Sequence, residues 1–292
     1  MYRVVFGLFY LFSLLPSRIL YLFSDFAYFL IYYVIGYRKD IVLNNLAIAF
    51  PEKTQQERVK IAKKFYRNFT DNFIEVIKLI SASESFIKKR FTGDFSILKK
   101  LHDEGRRVQL HLGHNFNWEV ANLGMTLRTP YSLLTVYMPI TSKIIDRLFI
   151  YIRKRTGAKL LPATEMRNSM VPYRNKVYML ALVADQNPSN PKRAHWFNFF
   201  GRPTPFLIGP EKGAKGVNAA VVFIYFTKKK RGFYEAHFKL VTEDPANVPE
   251  TQLTKEYVAF LEETIRQNPD MWLWSHRRWI WDWKPEYGPV IS

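Results

Sequence analysis

The residues best placed to do chemistry lie in one run, Gly113-His114-Asn115-Phe116-Asn117-Trp118-Glu119. An apolar stretch, Val108–Leu112, leads into it, and a helical pattern opens at Trp118. A histidine between a strand end and a helix N-terminus sits where strand-end loops present reactive groups. Glu119, five residues on, is positioned to fold back and hold one imidazole nitrogen. The other nitrogen is then free to take a proton from an attacking hydroxyl or amine. Such a pair runs acyl transfer without a covalent intermediate, because the base acts on the acceptor directly. By spacing alone, a histidine satisfied in a turn beside an exposed Glu119 is an equally simple account. His111, three residues earlier on the same strand, is expected to point away from the loop and to be structural.

Two further clusters follow. Ala184-Asp185-Gln186-Asn187-Pro188 ends an apolar strand with an acid. Downstream come Trp196–Thr204, the glycine-rich Gly209–Gly216, and Asn268–Trp279 with its tryptophans and the pair Arg277-Arg278. Aromatics beside paired arginines suit an apolar slot with a phosphate-binding mouth. Each of these residues taken singly also fits a turn cap or a core position.

The elements that must position these groups are legible as patterns. Thr54-Gln-Gln-Glu57 is a capping box, and Ala62, Phe65, Phe69, Phe73, Val76 and Ile80 recur at helical spacing behind it. Strands are expected at Val108–Leu112, Tyr131–Tyr137, Lys176–Ala184, Val217–Phe226 and Glu235–Val241. Helices are expected at Trp118–Leu127, Lys143–Thr156, Glu165–Tyr173 and Thr254–Asn268. The alternation predicts an α/β fold with its site at strand C-terminal ends.

Composition bounds the function. The 292 residues carry 43 Lys+Arg against 25 Asp+Glu, a net charge of +18, and no cysteine. Missing thiols exclude a disulfide scaffold, a cysteine-ligated metal centre and a thiol acyl-enzyme. No metal or other cofactor is expected. Residues 1–36 hold only Arg3, Arg18 and Asp25 as charged side chains, yet twelve aromatics. This segment is expected to anchor the chain in a membrane, as a span or an in-plane hairpin. A helical hairpin packed on the domain is the other reading. Residues 37–292 form the second unit, with Arg38 and Lys39 favouring a cytoplasmic body.

Taken together the motifs resemble a known family, the bacterial lipid A late acyltransferases (lauroyl/myristoyl acyltransferases), which also includes phosphatidylinositol mannoside acyltransferases. His114-Asn-Phe-Asn-Trp-Glu119 matches its His-x4-Asp/Glu motif. Asn45-Leu-Ala-Ile-Ala-Phe-Pro-Glu52 is similar to its NLxxxFPE segment. Asp185-Gln186, Phe199-Phe-Gly-x-Pro-Thr204 and Met271-Trp-Leu-x-x-His-Arg-Arg278 follow in the family's order.

The resemblance implies a glycerolipid-acyltransferase-like mixed sheet flanked by helices. It implies transfer of a fatty acyl chain from acyl carrier protein or acyl-CoA to a lipid acceptor, in lipid A and lipopolysaccharide biosynthesis. The setting it implies is the cytoplasmic face of the bacterial inner membrane, against anionic lipid. His114 maps onto the family's general base and Glu119 onto its orienting acid. Arg153 or Arg155 is the expected oxyanion donor. Asp185 and Arg202 are further oxyanion or phosphate candidates, and Asn117, Trp118, Gln186, Arg277 and Arg278 substrate-binding candidates.

One departure stands out. Lipid A members often carry Tyr-Arg-Pro where this chain has Tyr137-Met138-Pro139. That loss of a cation favours a smaller acceptor, an aminolipid or glycolipid, unless Lys192, Arg193 and Arg202 replace it. A non-catalytic basic protein binding nucleic acid or lipid is the competing class. It lacks any nucleic-acid motif and leaves the N-terminal segment without a purpose, so no nucleic-acid partner is expected. A serine hydrolase is excluded by the missing Gly-x-Ser-x-Gly elbow.

Overall fold

The structure is a computed structural model and describes residues 1–291. A seven-stranded sheet forms its centre: β1 (Phe91–Gly93), β2 (Val108–Leu112), β3 (Leu133–Tyr137), β4 (Lys159–Pro162), β5 (Met179–Val183), β8 (Ala220–Lys230) and β9 (Phe233–Thr242). Their order is β1-β9-β8-β2-β5-β3-β4. From β8 to β4 neighbours run parallel, while β9 pairs antiparallel with β8 and carries β1 parallel beside it. The expected mixed α/β sheet is what the chain adopts. A small second sheet, β10-β6-β7, joins β6 (Ala194–Phe199), β7 (Arg202–Leu207) and β10 (Val290–Ile291).

The helices are α1 (Tyr2–Leu14), α2 (Ser17–Phe29, extended by a π-turn over Leu30–Ile35), α3 (Lys39–Ala49), α4 (Gln55–Lys78), α5 (Glu84–Arg90), α6 (Ser96–Asp103), α7 (Trp118–Arg128), α8 (Lys143–Lys154), α9 (Met166–Ser169), α10 (Gly209–Val217) and α11 (Gln252–Gln267). The Thr54–Glu57 capping box forms in full at the start of α4. Such a cap is worth about 1 kcal/mol. Behind it, Ala62, Phe65, Tyr66 and Val76 enter the main core cluster together with Phe116, Val120 and Trp272.

Several expectations needed adjusting. The helix expected over Glu165–Tyr173 breaks into α9 and flanking 3-10 turns, the second carrying Pro172, which removes a backbone donor. The glycine-rich Gly209–Gly216, for which the sequence pattern names no element, lies in the helix α10, whose Glu211 and Ala214 are buried. Trp196–Thr204, for which the sequence pattern names no strand, falls within the β6–β7 hairpin.

Five residues of β2 are buried, as in a strand covered on both faces. β2 and β5 are direct neighbours, with His111 opposite Leu182 and Leu112 opposite Val183. The loops that follow them, at 113–117 and 184–187, therefore emerge side by side at the middle of the sheet's C-terminal edge. This adjacency, rather than any closeness in sequence, brings the polar groups together.

Candidate active site

Gly113 turns the chain out of β2. A Cβ there would meet Leu261 Cδ1 at 2.7 Å and Asp185 Oδ2 at 3.1 Å, so a side chain would require Leu261 to move and would crowd the carboxylate. The loop is held from the other side by the C-terminal segment, through Phe116 N–H to Met271 O (2.9 Å) and a bridge between Asn115 and Trp272. Asn117 then caps α7, its Oδ1 accepting from Glu119 N–H (3.1 Å) and Val120 N–H (3.2 Å).

His114 is the meeting point. Its Nδ1 lies 2.5 Å from Asp185 Oδ1, and its backbone N–H donates to Asp185 Oδ2 at 2.8 Å. Trp272 Nε1–H donates to the same Oδ2 at 2.6 Å. Asp185 is 1% exposed and the His114 side chain 19%. Burial pushes the Asp185 carboxyl upward, but His114 and the three donors outweigh it and hold the pKa at about 2. Asp185 is therefore a carboxylate, and its hydrogen bond requires the proton on His114 Nδ1.

At the other ring nitrogen, Gln186 Nε2 lies 3.1 Å from His114 Nε2. An amide donor there needs a lone pair on Nε2. Both neighbours thus call for the same tautomer, with Nδ1 protonated and Nε2 basic. Trp118 stands edge-on to the imidazole with ring centres 5.4 Å apart and stacks on Phe116.

The structure departs from the sequence reading at Glu119. The carboxylate does not fold back to the imidazole. It is 2% exposed and forms a forked pair with Arg153, Nε to Oε2 at 2.9 Å and Nη2 to Oε1 at 2.5 Å. Trp118 Nε1–H also donates to it at 3.2 Å. The cause is helical geometry: Glu119 sits in the first turn of α7, facing α8, whose last turn carries Arg153.

Asp185, expected as an oxyanion or phosphate stabiliser, is corrected as well. An ionised carboxylate repels an oxyanion, and all its bonds face His114 and Trp272. Arg155 caps the end of α4 instead of facing the site, donating to Leu79 O and, at 2.8 Å, to Ala82 O. Arg202 pairs with Asp282 at the surface (2.8 Å).

Among the substrate-binding candidates, Asn117 is committed to the α7 cap and to Glu75 Oε2 (2.9 Å). Arg278 is fully buried and donates to Asn187 Oδ1 and Pro205 O, both at 2.8 Å, over the Phe206 ring. Desolvation lowers its pKa to about 10. It acts as a strut between the 184–187 loop and β7. Arg277 is exposed, and its carbonyl accepts from Asn187 Nδ2 at 2.7 Å.

Trp118, Gln186 and Arg153 remain around His114 and Glu119. His111 is structural, as expected. It is buried in β2, stacked on Phe223, and desolvation lowers its pKa to about 4. With its amide turned to satisfy all its neighbours, Gln109 donates to His111 Nε2 at 3.0 Å and accepts from Ala214 N–H at 3.1 Å.

Sequence reasoning missed two contributors. Trp272 was read as core or slot lining, and its indole donation to Asp185 has no local signal. Asn45 of the NLxxxFPE segment donates to Trp274 O (2.8 Å) and His276 O (2.7 Å), fixing the C-terminal loop behind the site.

A buried carboxylate, an oriented imidazole and a nearby arginine make a site suited to general-base transfer onto a nucleophile. No curated protein matches the chain. The family model for bacterial lipid A biosynthesis acyltransferases matches residues 1–280, and the chain belongs to that family.

Proposed function

We propose that this acyltransferase moves a fatty acyl chain from a carrier-bound thioester to a hydroxyl of a lipid A-type acceptor, with His114 as general base and Asp185 as its orienting acid. The observation that carries the reading is the place of His114 between two partners, its Nδ1 2.5 Å from the buried Asp185 carboxylate and its Nε2 3.1 Å from the Gln186 amide. Nδ1–H is tied to Asp185, and Nε2 carries the lone pair.

The acceptor hydroxyl takes the place of the Gln186 amide at Nε2 and gives up its proton as its oxygen bonds to the thioester carbon. The carbonyl oxygen becomes an oxyanion. Asp185 stabilises the imidazolium formed at the same moment. When the tetrahedral centre collapses, the C–S bond breaks and the imidazolium returns its proton to the leaving sulfur. Products are the acylated lipid and a free thiol, and no acyl-enzyme forms.

Arg153 is the oxyanion donor in this scheme. Glu119 holds its Nε and Nη2, and Nη1 makes no hydrogen bond among the described residues. Held donors of this kind contribute about 3 kcal/mol to barrier lowering. Glu119 thus serves as a positioning residue for Arg153.

The donor is acyl carrier protein or acyl-CoA, both anionic, and a net charge of +18 suits either as well as an anionic cytoplasmic membrane face. The membrane is contacted by the N-terminal helices, which expose Leu8, Leu11, Leu22, Phe26 and Phe29. A second reading for the acceptor, a smaller aminolipid or glycolipid, rests on Met138. This residue occupies the place of the family's frequent arginine and is 66% exposed beyond the end of β3.

The test is lipid mass spectrometry of a deletion strain complemented with the native chain or with His114→Ala. The variant is expected to lose acyl transfer by about 10³–10⁴-fold while folding normally. Native-level acylation by that variant would overturn the mechanism.

A further inference from the structure

The helix Ser17–Ile35 is long and apolar enough to cross a bilayer by length and composition. Its packing argues otherwise. Leu20, Ser24, Tyr28 and Tyr32 form a buried stripe, one residue per turn. This stripe runs antiparallel along α4 in a constant register. Tyr21 OH donates to Glu75 (2.9 Å), and Ser24 Oγ donates to Asp71 (2.7 Å). Further along, Arg67 lies over the Tyr28 ring at 5.1 Å and Lys63 over the Tyr32 ring at 5.9 Å.

Other bonds tie the same helices down. Arg231 pairs with Asp25 (2.6 Å), and Arg90 donates to Ser17 Oγ (3.1 Å). Lys78 Nζ caps the end of α1 through Ser13 O (2.8 Å) and Leu15 O (3.0 Å).

A bilayer crossing along α2 would have to carry Lys63, Arg67 and Asp71 of α4 into the hydrocarbon, or strip α2 off its polar partners. Charged side chains are excluded from that region unless paired or facing water. α4 also cannot follow, because Ala62, Phe65, Tyr66 and Val76 belong to the domain core. The outward face is the complement: Val4, Leu8, Leu11 and Leu14 of α1, and Leu22, Phe23, Phe26 and Phe29 of α2, all exposed. Arg3 and Arg18 are exposed at its margins, and its one acid, Asp25, is already paired.

We propose that residues 1–35 attach the protein to a single leaflet of an anionic bilayer, both helices lying in the membrane plane with no span. The proposal rests on the membrane-bound acyltransferase reading and specifies its mode of attachment. It places the acyl-chain-facing surface and the catalytic domain on the same side of the bilayer, joined through Tyr21, Glu75 and Asn117 to the His114 loop.

The cysteine-free chain makes the test direct. Single cysteines are introduced in the full-length protein as Arg18→Cys, Asp40→Cys and, on the body, Lys255→Cys. A membrane-impermeant maleimide is applied to spheroplasts and to sealed inverted inner-membrane vesicles from a bacterial host. All three sites are expected to label in inverted vesicles and none in spheroplasts. Labelling of Arg18→Cys in spheroplasts, with Asp40→Cys and Lys255→Cys labelling only in inverted vesicles, would overturn the proposal.

A second measurement uses Phe26→Cys carrying a fluorophore, in vesicles with lipids spin-labelled at shallow or deep acyl positions. In-plane attachment predicts at least twofold stronger quenching by the shallow label. A span centred near Phe26 predicts the reverse order and would also sink the idea. Recovery of the native chain in the soluble fraction would instead overturn the membrane reading itself.

Discussion

Two buried acid systems lie on either side of the 113–117 loop, and they are built differently. At the sheet edge, Asp185 accepts from His114 and Trp272 and is held ionised beside the imidazole that takes up the proton in the proposed mechanism. In the seam under the N-terminal helices, Glu75 accepts from Tyr21, Asn117 and Tyr234, neutral donors all. Burial there pushes its pKa up, with the Asn117 and Tyr234 bonds only partly opposing. One turn away, Asp71 meets Lys228 (3.1 Å) and Arg231 (2.6 Å). Full burial alone therefore does not mark a catalytic acid. What distinguishes Asp185 is a part-exposed imidazole partner whose second nitrogen meets the Gln186 amide.

The comparison is sharpened most by substitutions that separate rate from stability. Asp185→Asn should lower kcat by about 10³-fold while costing about 2 kcal/mol of stability at neutral pH, because the charge opposite the forming imidazolium of the proposed mechanism is lost. Glu119→Gln acts one step removed, through Arg153, and should cost closer to about tenfold. Steady-state kinetics on both variants check the order, and equal losses would break the distinction between the two acids of the site.

In the seam, Asp71→Asn should destabilise by about 1–2 kcal/mol, since Arg231 keeps Asp25 and Lys228 keeps Asn68 as partners, read by urea unfolding in detergent. Its activity per folded molecule should stay within about threefold of native.

The pH dependence differs in sign between the two systems. The depressed Asp185 contributes stability that is fully present above the unfolded carboxyl value near 4. That stability is lost as pH falls through the folded value of about 2. The loss amounts to about 2 kcal/mol and should vanish in Asp185→Asn. Glu75, raised rather than depressed, contributes stability below the unfolded value and loses it as pH climbs toward its folded value. Glu75→Gln should therefore change stability at neutral pH by less than about 1 kcal/mol, since the amide oxygen still accepts from Asn117 and Tyr234, its NH2 can donate to a turned Tyr21 hydroxyl, and no charge is buried. Paired melting curves from pH 2 to 8 test both signs.

What could be seen in the sequence were the elements with local signatures. Val108–Leu112 was bounded correctly because Gly113 and the polar loop punctuate it, and the α4 capping box needs only four adjacent residues. His114 was legible for the same reason. The pairing of its Nδ1 was not, since Asp185 lies 71 residues away and meets it only because β2 and β5 are neighbours. Glu119 misled because an acid five residues on is near in sequence while its helix turns it toward Arg153. Arg278 read as a substrate-facing cation because nothing local reveals that Asn187 and Pro205 enclose it. Prolines at 203 and 205 obscured β7, which tolerates them as an edge strand pairing only with β6.

The Trp272 indole has a consequence for measurement. Its Nε1–H donates to the same carboxylate that meets His114, in a fully buried setting. A charge-assisted bond of that length should move the indole proton far downfield of those of the other tryptophans. One resonance, followed by nitrogen-15 spectroscopy, would then track the charge on Asp185 as pH, donor or acceptor is varied. The protein carries its own spectroscopic gauge of the site, with no label added.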